Sequence, residues 1–223
     1  MTFTYRIAQD ADAISIQSVK EAVWPEEATS EEQIRKAIAQ PGHFCYLTLI
    51  KEKVIGFMDC FTTLNPQGNP RLELDLLAVL PEYRGLGIAS TLIRHCLQHP
   101  AAPPNFLCRA LIQIDNLGSQ KSFQHNGFYC SPEVLNLYVK PNPAQSNAPT
   151  KIGFRGHLVA VTTLAYTGYW IEPPFSNGKL KIPGPFQTAG ALLPEQSELS
   201  LIALQEGFEK INAYQWWTAS TKE

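Results

Sequence analysis

The chain has 223 residues, 44% of them apolar and 17% charged, with 18 basic against 20 acidic side chains and a net charge of −2. That is long enough to bury a full core without disulfide or metal staples, and too apolar for a disordered segment. The near-neutral balance gives no bulk attraction for nucleic acid or an anionic membrane, and no uncharged apolar run approaches the roughly 18 residues of a membrane-spanning helix.

Residues 5–8 read as a short strand ended by Asp10, and Asp12 as the cap of a helix to about Val23, where Pro25 stops it. Ser30 with Gln33 fits a capping box, opening a helix with Ile34, Ala37 and Ile38 on one face; Pro41-Gly42 closes it. Residues 44–50 and 54–64 are apolar, β-rich runs parted by Lys51-Glu52-Lys53, the pattern of a hairpin. A loop at 65–70 precedes a strand at 72–80. Beyond Pro81 a helix follows, with Ala89, Leu92, Ile93, Cys96 and Leu97 on one stripe, and Pro100 ends it. Residues 106–114 read as a strand, 119–125 as a short helix and 134–139 as a strand. This alternation predicts an α/β or α+β domain with at least one parallel strand pair.

Three prolines between Pro141 and Pro149 predict a linker at 141–150, separating a domain at 1–140 from an extension at 151–223. In the extension, 156–172 reads as one or two strands broken near Gly168, 173–178 as a turn and 179–182 as a short strand. Pro194 and Ser197 precede a helix whose apolar face would run through Leu201, Ile202, Leu204, Phe208 and Ile211. Trp216-Trp217 reads as an apolar anchor. The extension is expected to pack on the first domain, cover part of an acceptor cleft or form a homodimer contact. Cys45, Cys60, Cys96, Cys108 and Cys130 are odd in number and form no CxxC pair, so neither disulfides nor a zinc site is expected. The first six residues lack the basic and apolar regions of a signal peptide, and the chain is expected to be soluble and cytoplasmic.

The most informative stretch joins the strand at 72–80 to the next helix through Arg84-Gly85-Leu86-Gly87-Ile88-Ala89. Glycines let a backbone approach a ligand with no Cβ in the way, and the unpaired N–H groups of a first helical turn favour a phosphate. No lysine follows Gly87, so the nucleotide P-loop pattern fails; only two glycines are present, so the dinucleotide fingerprint fails as well. The bland alternative is a helix start that uses glycine for close packing.

Residues 84–89, preceded by Leu77-Ala78-Val79-Leu80-Pro81-Glu82-Tyr83, closely resemble the acetyl-CoA motif of the GCN5-related N-acetyltransferases, the GNAT family. Asn116, Ser119, Phe123, Gly127 and Phe128, at spacings of 3, 4, 4 and 1, are similar to a second segment of that family. The resemblance covers about residues 3–140. It implies an α+β, GNAT-like acyl-CoA N-acyltransferase fold: a mixed, mostly antiparallel sheet with a splayed parallel strand pair and flanking helices. It also implies acetyl transfer from acetyl-CoA to a primary amine of a small molecule or peptide, by direct attack in a ternary complex and without a metal. The pantetheine arm would then pair with the backbone at Leu77, Ala78 and Val79. The pyrophosphate would rest on the N–H groups of Arg84, Gly85, Leu86, Gly87, Ile88 and Ala89. Asn116 would contact the cofactor as well as capping the helix that follows it.

Period-two alternation over 72–80 sets Glu73, Asp75, Leu77 and Val79 on one face, so two carboxylates are expected beside the cofactor. Glu73 lies eleven residues before Arg84, where the resemblance implies a base; Asp75 could be the base or bind a cationic acceptor. Phe123 stands where many family members carry the tyrosine that protonates the leaving thiolate. Phenylalanine cannot donate, so either the thiolate departs unaided or another donor such as Tyr129 serves, and Phe123 is expected to wall the cofactor's sulfur. The missing hydroxyl also supports a competing class, a non-catalytic acyl-CoA-binding domain. His95 and His99 have the spacing of a metal pair without a third ligand motif, and their place at a helix end suits the dipole.

Overall fold

The computed structural model describes residues 2–27, 29–100, 106–142 and 144–220. They form two compact units: the first holds the chain up to Ser131, together with Thr163–Ala165 and the chain from Trp216, and the second holds the rest. The expected boundaries at 140 and 151 do not coincide with these units.

In the first unit β1 (Phe3–Ile7) leads to α1 (Ala13–Val23). Asp12 stands at the N-cap of α1 but spends its carboxylate on Arg6, at 2.7 Å to each terminal nitrogen, and on the Gln9 N–H at 2.8 Å. α2 (Glu31–Ile38) opens on Ser30, whose Oγ accepts from the Gln33 N–H, while the Gln33 amide donates to the Thr163 carbonyl at 2.8 Å. The expected hairpin follows: β2 (His43–Ile50) and β3 (Lys53–Leu64) pair antiparallel around Lys51. β4 (Pro70–Val79) runs antiparallel to β3. Then come α3 (Ile88–Leu97), β5 (Leu107–Gln113) parallel to β4, α4 (Leu117–His125) and β6 (Tyr129–Cys130). The strands lie in the order β1-β2-β3-β4-β5. Ile16 and Val19 of α1, Ile34 and Ala37 of α2, and Ile88, Leu92, Ile93 and Cys96 of α3 are buried in one apolar core. The mixed sheet, its parallel pair and its helices are those of the fold expected from the sequence.

The second unit contains β7 (Leu135–Pro141), β8 (Thr150–Thr162), β9 (Thr167–Ile182), β10 (Thr188–Leu193), α5 (Glu198–Gln205) and the first part of β11 (Glu209–Ser220). β8 and β9 pair antiparallel, β10 lies parallel to the start of β9 and antiparallel to β7, and β11 pairs antiparallel with β7. Several expectations are corrected here. The strand break falls at residues 163–166, not near Gly168, which is paired inside β9. The stretch 173–178 is not a turn but part of β9, held by the partner strand β8. The last helix stops at Gln205, because Gly207 takes a left-handed φ of +82° and turns the chain into β11. Phe208 therefore enters the core from beyond the helix, and Ile211 lies in a strand. Neither β10 nor β11 was expected as a strand. Of the proline-rich stretch, Pro141 ends β7 and Pro143 lies outside the described residues.

His95 and His99 are engaged by rings of the first unit. His99 stacks on Phe44 with centroids 4.0 Å apart, and His95 lies 5.0 Å from the Tyr5 ring and 5.4 Å from the Tyr46 ring. Among the described residues no three His, Cys, Asp or Glu side chains are grouped to hold a metal ion. Burial holds both imidazoles below their ordinary pKa of 6.5. The folded chain thus binds these protons less readily than the unfolded one. Stability from the stacks is complete above about pH 6.5 and is lost as pH falls through the lower folded values. The drop in Tm between about pH 7.5 and about pH 5.5 should therefore be smaller in His99→Phe than in the parent. Equal drops would contradict this role.

Candidate active site

Parallel pairing between β4 and β5 covers Arg71↔Leu107, Leu72↔Cys108 and Glu73↔Arg109, and the register ends there although both strands continue. Beyond Glu73, Leu77–Val79 pair with β3 on one side and present an open edge on the other. The Leu80 N–H donates to the Ile55 carbonyl of β3 at 2.9 Å. Because successive residues of a strand address alternate edges, Ala78 also faces β3, whereas Leu77 and Val79 direct their backbone groups into the gap. The Val79 carbonyl there accepts from Arg84 Nε at 3.2 Å.

The gap leads to the glycine turn. Gly85 and Gly87 have φ of +77° and +75°, values that suit glycine, and a Cβ built on either would meet nothing within 4 Å. The surrounding space is open, so close packing against the protein is not what calls for glycine here. Among the described residues no acceptor takes the N–H groups of Gly85, Leu86, Gly87, Ile88, Ala89 or Ser90, and Thr91 makes the first helical bond, to the Gly87 carbonyl. A row of free N–H groups at the positive end of α3 is a fitting seat for a pyrophosphate.

The strand leading there is not regular. Leu74 pairs with Cys60 and Leu77 with Met58, so Asp75 and Leu76 together oppose the single residue Asp59. This β-bulge breaks the expected alternation. Glu73, opposite Phe61, shares a face with Asp59 and Ala78, whereas Leu77 and Val79 lie on the other face with Met58. The expectation of one face for Glu73, Asp75, Leu77 and Val79 is thereby corrected.

The two carboxylates have different surroundings. Glu73 is buried, and Arg109 Nε donates to both its oxygens, at 2.7 and 3.0 Å. The Thr63 hydroxyl also donates to Glu73, and Arg71 Nε lies 3.5 Å from it. Arg109 in turn stacks on the Trp216 ring, 4.2 Å from its centroid. Asp75 is only partly covered by area, yet enough protein surrounds it that its carboxyl is pushed up to about 7. Desolvation is the main cause, with the charges of Asp59 and Glu73 adding to it and those of His43 and Lys20 opposing it.

A family model described as "Acetyltransferase (GNAT) family" matches residues 11–128. The chain belongs to the GNAT acetyltransferase family. Among curated proteins none matches its sequence. Solved structures share the fold. Arabidopsis thaliana Naa50 in complex with a bisubstrate analogue is 21% identical, with a TM-score of 0.51 over 60% of this chain and 87% of that one. Arabidopsis thaliana NAA60 in complex with acetyl-CoA is 15% identical, with a TM-score of 0.53 over 60% and 88%. A GCN5-related N-acetyltransferase from Sphaerobacter thermophilus is 12% identical, with a TM-score of 0.60 over 99% and 96%, so that likeness extends over both units.

Other expected site residues stand as follows. Asn116 caps α4, its Oδ1 accepting from the Ser119 N–H at 3.1 Å, and the residue remains exposed. Phe123 is 3% exposed and packs edge-on against Phe128, 4.9 Å between centroids, so its ring serves the core. Tyr129 is 79% exposed where β6 pairs with the end of β11, through Tyr129↔Thr218 and Cys130↔Trp217. Sequence reasoning missed Thr63, Arg71, Arg109 and Trp216, although two arginines inside apolar strands signal a buried counter-charge.

Removing one partner of a buried ion pair leaves the other uncompensated. Glu73→Gln should lower the free energy of unfolding by about 3–5 kcal/mol in denaturant melts. A loss under about 1 kcal/mol, in the range of exposed pairs, would contradict the arrangement.

Proposed function

We propose that the chain transfers the acetyl group of acetyl-CoA to a primary amine of a small molecule or peptide, with Asp75 as the general base. The observation that carries this reading is the parting of β4 from β5 beyond Glu73, which opens a backbone edge that runs into free N–H groups. Leu77 and Val79 would hold the pantetheine arm and residues 84–89 the pyrophosphate, with the exposed Asn116 beside it. Because backbone dipoles supply the attraction, a protein of net charge −2 can bind so anionic a ligand. When bound, acetyl-CoA supplies an acyl group activated as a thioester.

Asp75 lies on β4 between Glu73, the last residue paired with β5, and the open edge at Leu77 and Val79. It takes the proton that the acceptor amine gives up as the nitrogen bonds to the acyl carbon and the carbon–sulfur bond breaks. A carboxyl near 7 suits this role at neutral pH, whereas the oxygens of Glu73 already accept from Arg109 and Thr63. Glu73 is therefore assigned a structural role. Tyr129 is assigned as the proton donor to the departing thiolate, since Phe123 has no hydroxyl and lies in the core.

Release of free CoA thiol over a panel of amines tests the reading. kcat/KM should rise with pH through about 7 as Asp75 loses its proton. Asp75→Asn should lower kcat by about 10²–10⁴-fold and abolish that limb, with CoA affinity retained. Tight acetyl-CoA binding with no turnover on any amine would instead identify a binding module.

Raising a carboxyl's pKa on folding also costs stability as pH climbs from the unfolded value of 3.8 toward 7. The Tm advantage of Asp75→Asn over the parent should accordingly grow between about pH 5 and about pH 8. An advantage independent of pH would contradict the raised value.

A further inference from the structure

Two wholly buried ionisable side chains flank the β4 bulge and have no part in the transfer described above. Asp59, on β3 opposite Asp75 and Leu76, has one carboxylate oxygen 2.6 Å from His43 Nε2, and its other oxygen has no hydrogen-bond partner among the described residues. Lys20 comes from α1, which packs against β3 and β4. Its ammonium likewise has no hydrogen-bond partner among the described residues, and it lies 5.8 Å from the centroid of the Trp24 ring.

We propose that Asp59 and Lys20 are opposed positioning residues for the Asp75 base, Asp59 favouring its protonated form and Lys20 its carboxylate. The inference rests on Asp75 being the base. The charged groups around Asp75 are Asp59 from β3, His43 from β2, Glu73 on its own strand and Lys20 from α1. Glu73 is paired with Arg109 and Arg71 and still adds like charge beside Asp75. His43 holds the Asp59 carboxylate and also favours the ionised form of Asp75. Asp59 thus works against the ionised form of Asp75, while His43 and Lys20 both favour it. Burial lowers the pKa of Lys20, while Glu27, Asp75 and Asp59 help to keep it charged.

The test is the pH profile of kcat/KM. Asp59→Asn removes a like charge and should move the acid limb to lower pH by about half a unit or more. Lys20→Met removes an opposite charge and should move it to higher pH by a similar amount. The double variant should return the midpoint toward that of the parent. A merely structural role would scale the plateau and leave the midpoint in place. Unmoved midpoints, or shifts in the same direction, overturn the proposal. Asp75→Asn separates the two levels. If the limb survives in that variant, Asp75 is not the base and the proposal falls with that assignment. If the limb is lost there but unmoved in Asp59→Asn and Lys20→Met, only the positioning role falls. Should Asp59→Asn fail to fold, Lys20→Met carries the test alone, since methionine fills the same apolar slot without a buried charge.

Discussion

The Glu73–Arg109 ion pair closes the last rung at which β4 and β5 run side by side. Two such charges stay buried only if their hydrogen-bonding capacity is met, and here it is. Thr63 and Arg71 serve Glu73 from the same sheet face, and Trp216 covers the Arg109 guanidinium. Past this rung the strands have no common register, and among the described residues no strand pairs with the edge of β4 that Leu77 and Val79 present to the gap. The end of β11 from Trp216 belongs to the first unit, where Trp216 lies over the Arg109 guanidinium.

Beyond that rung, at the bulge where Asp75 and Leu76 oppose Asp59, Asp75 is crowded by protein and by two other carboxylates while keeping an opening to solvent, and its proton affinity rises into the physiological range. The arrangement works against stability, since folding then favours a protonated acid that the proposed reaction needs ionised. Such opposition between stability and function is common at active sites.

Much of the fold was legible in the sequence because its first half obeys local rules. Pro25, Pro41-Gly42 and Pro100 mark helix ends, Lys51-Glu52-Lys53 marks a hairpin, and the paired glycines mark the turn before α3. Asp75 was legible as a candidate but not as the favoured one, because Leu72–Leu80 reads as unbroken alternation and a bulge leaves no mark in residue type. The role of Glu73 depends on Arg109, thirty-six residues away, which no local pattern reveals. In the second unit the rules misled for a related reason: prolines and glycine at 173–178 signal a turn, yet β8 supplies the pairing that keeps the segment in a strand. Likewise β11, with Trp216 in it, is a strand only by virtue of its partners.

The central claim is that the donor lies along the open edge of β4 and on the turn before α3. Amide hydrogen exchange with and without CoA tests it most directly. The account predicts slowed exchange at Leu77 and Val79, whose N–H groups face the gap, and across Gly85–Ser90, with little change at Ala78, which already faces β3. Unchanged exchange at these amides, with protection appearing elsewhere in the chain, would contradict it.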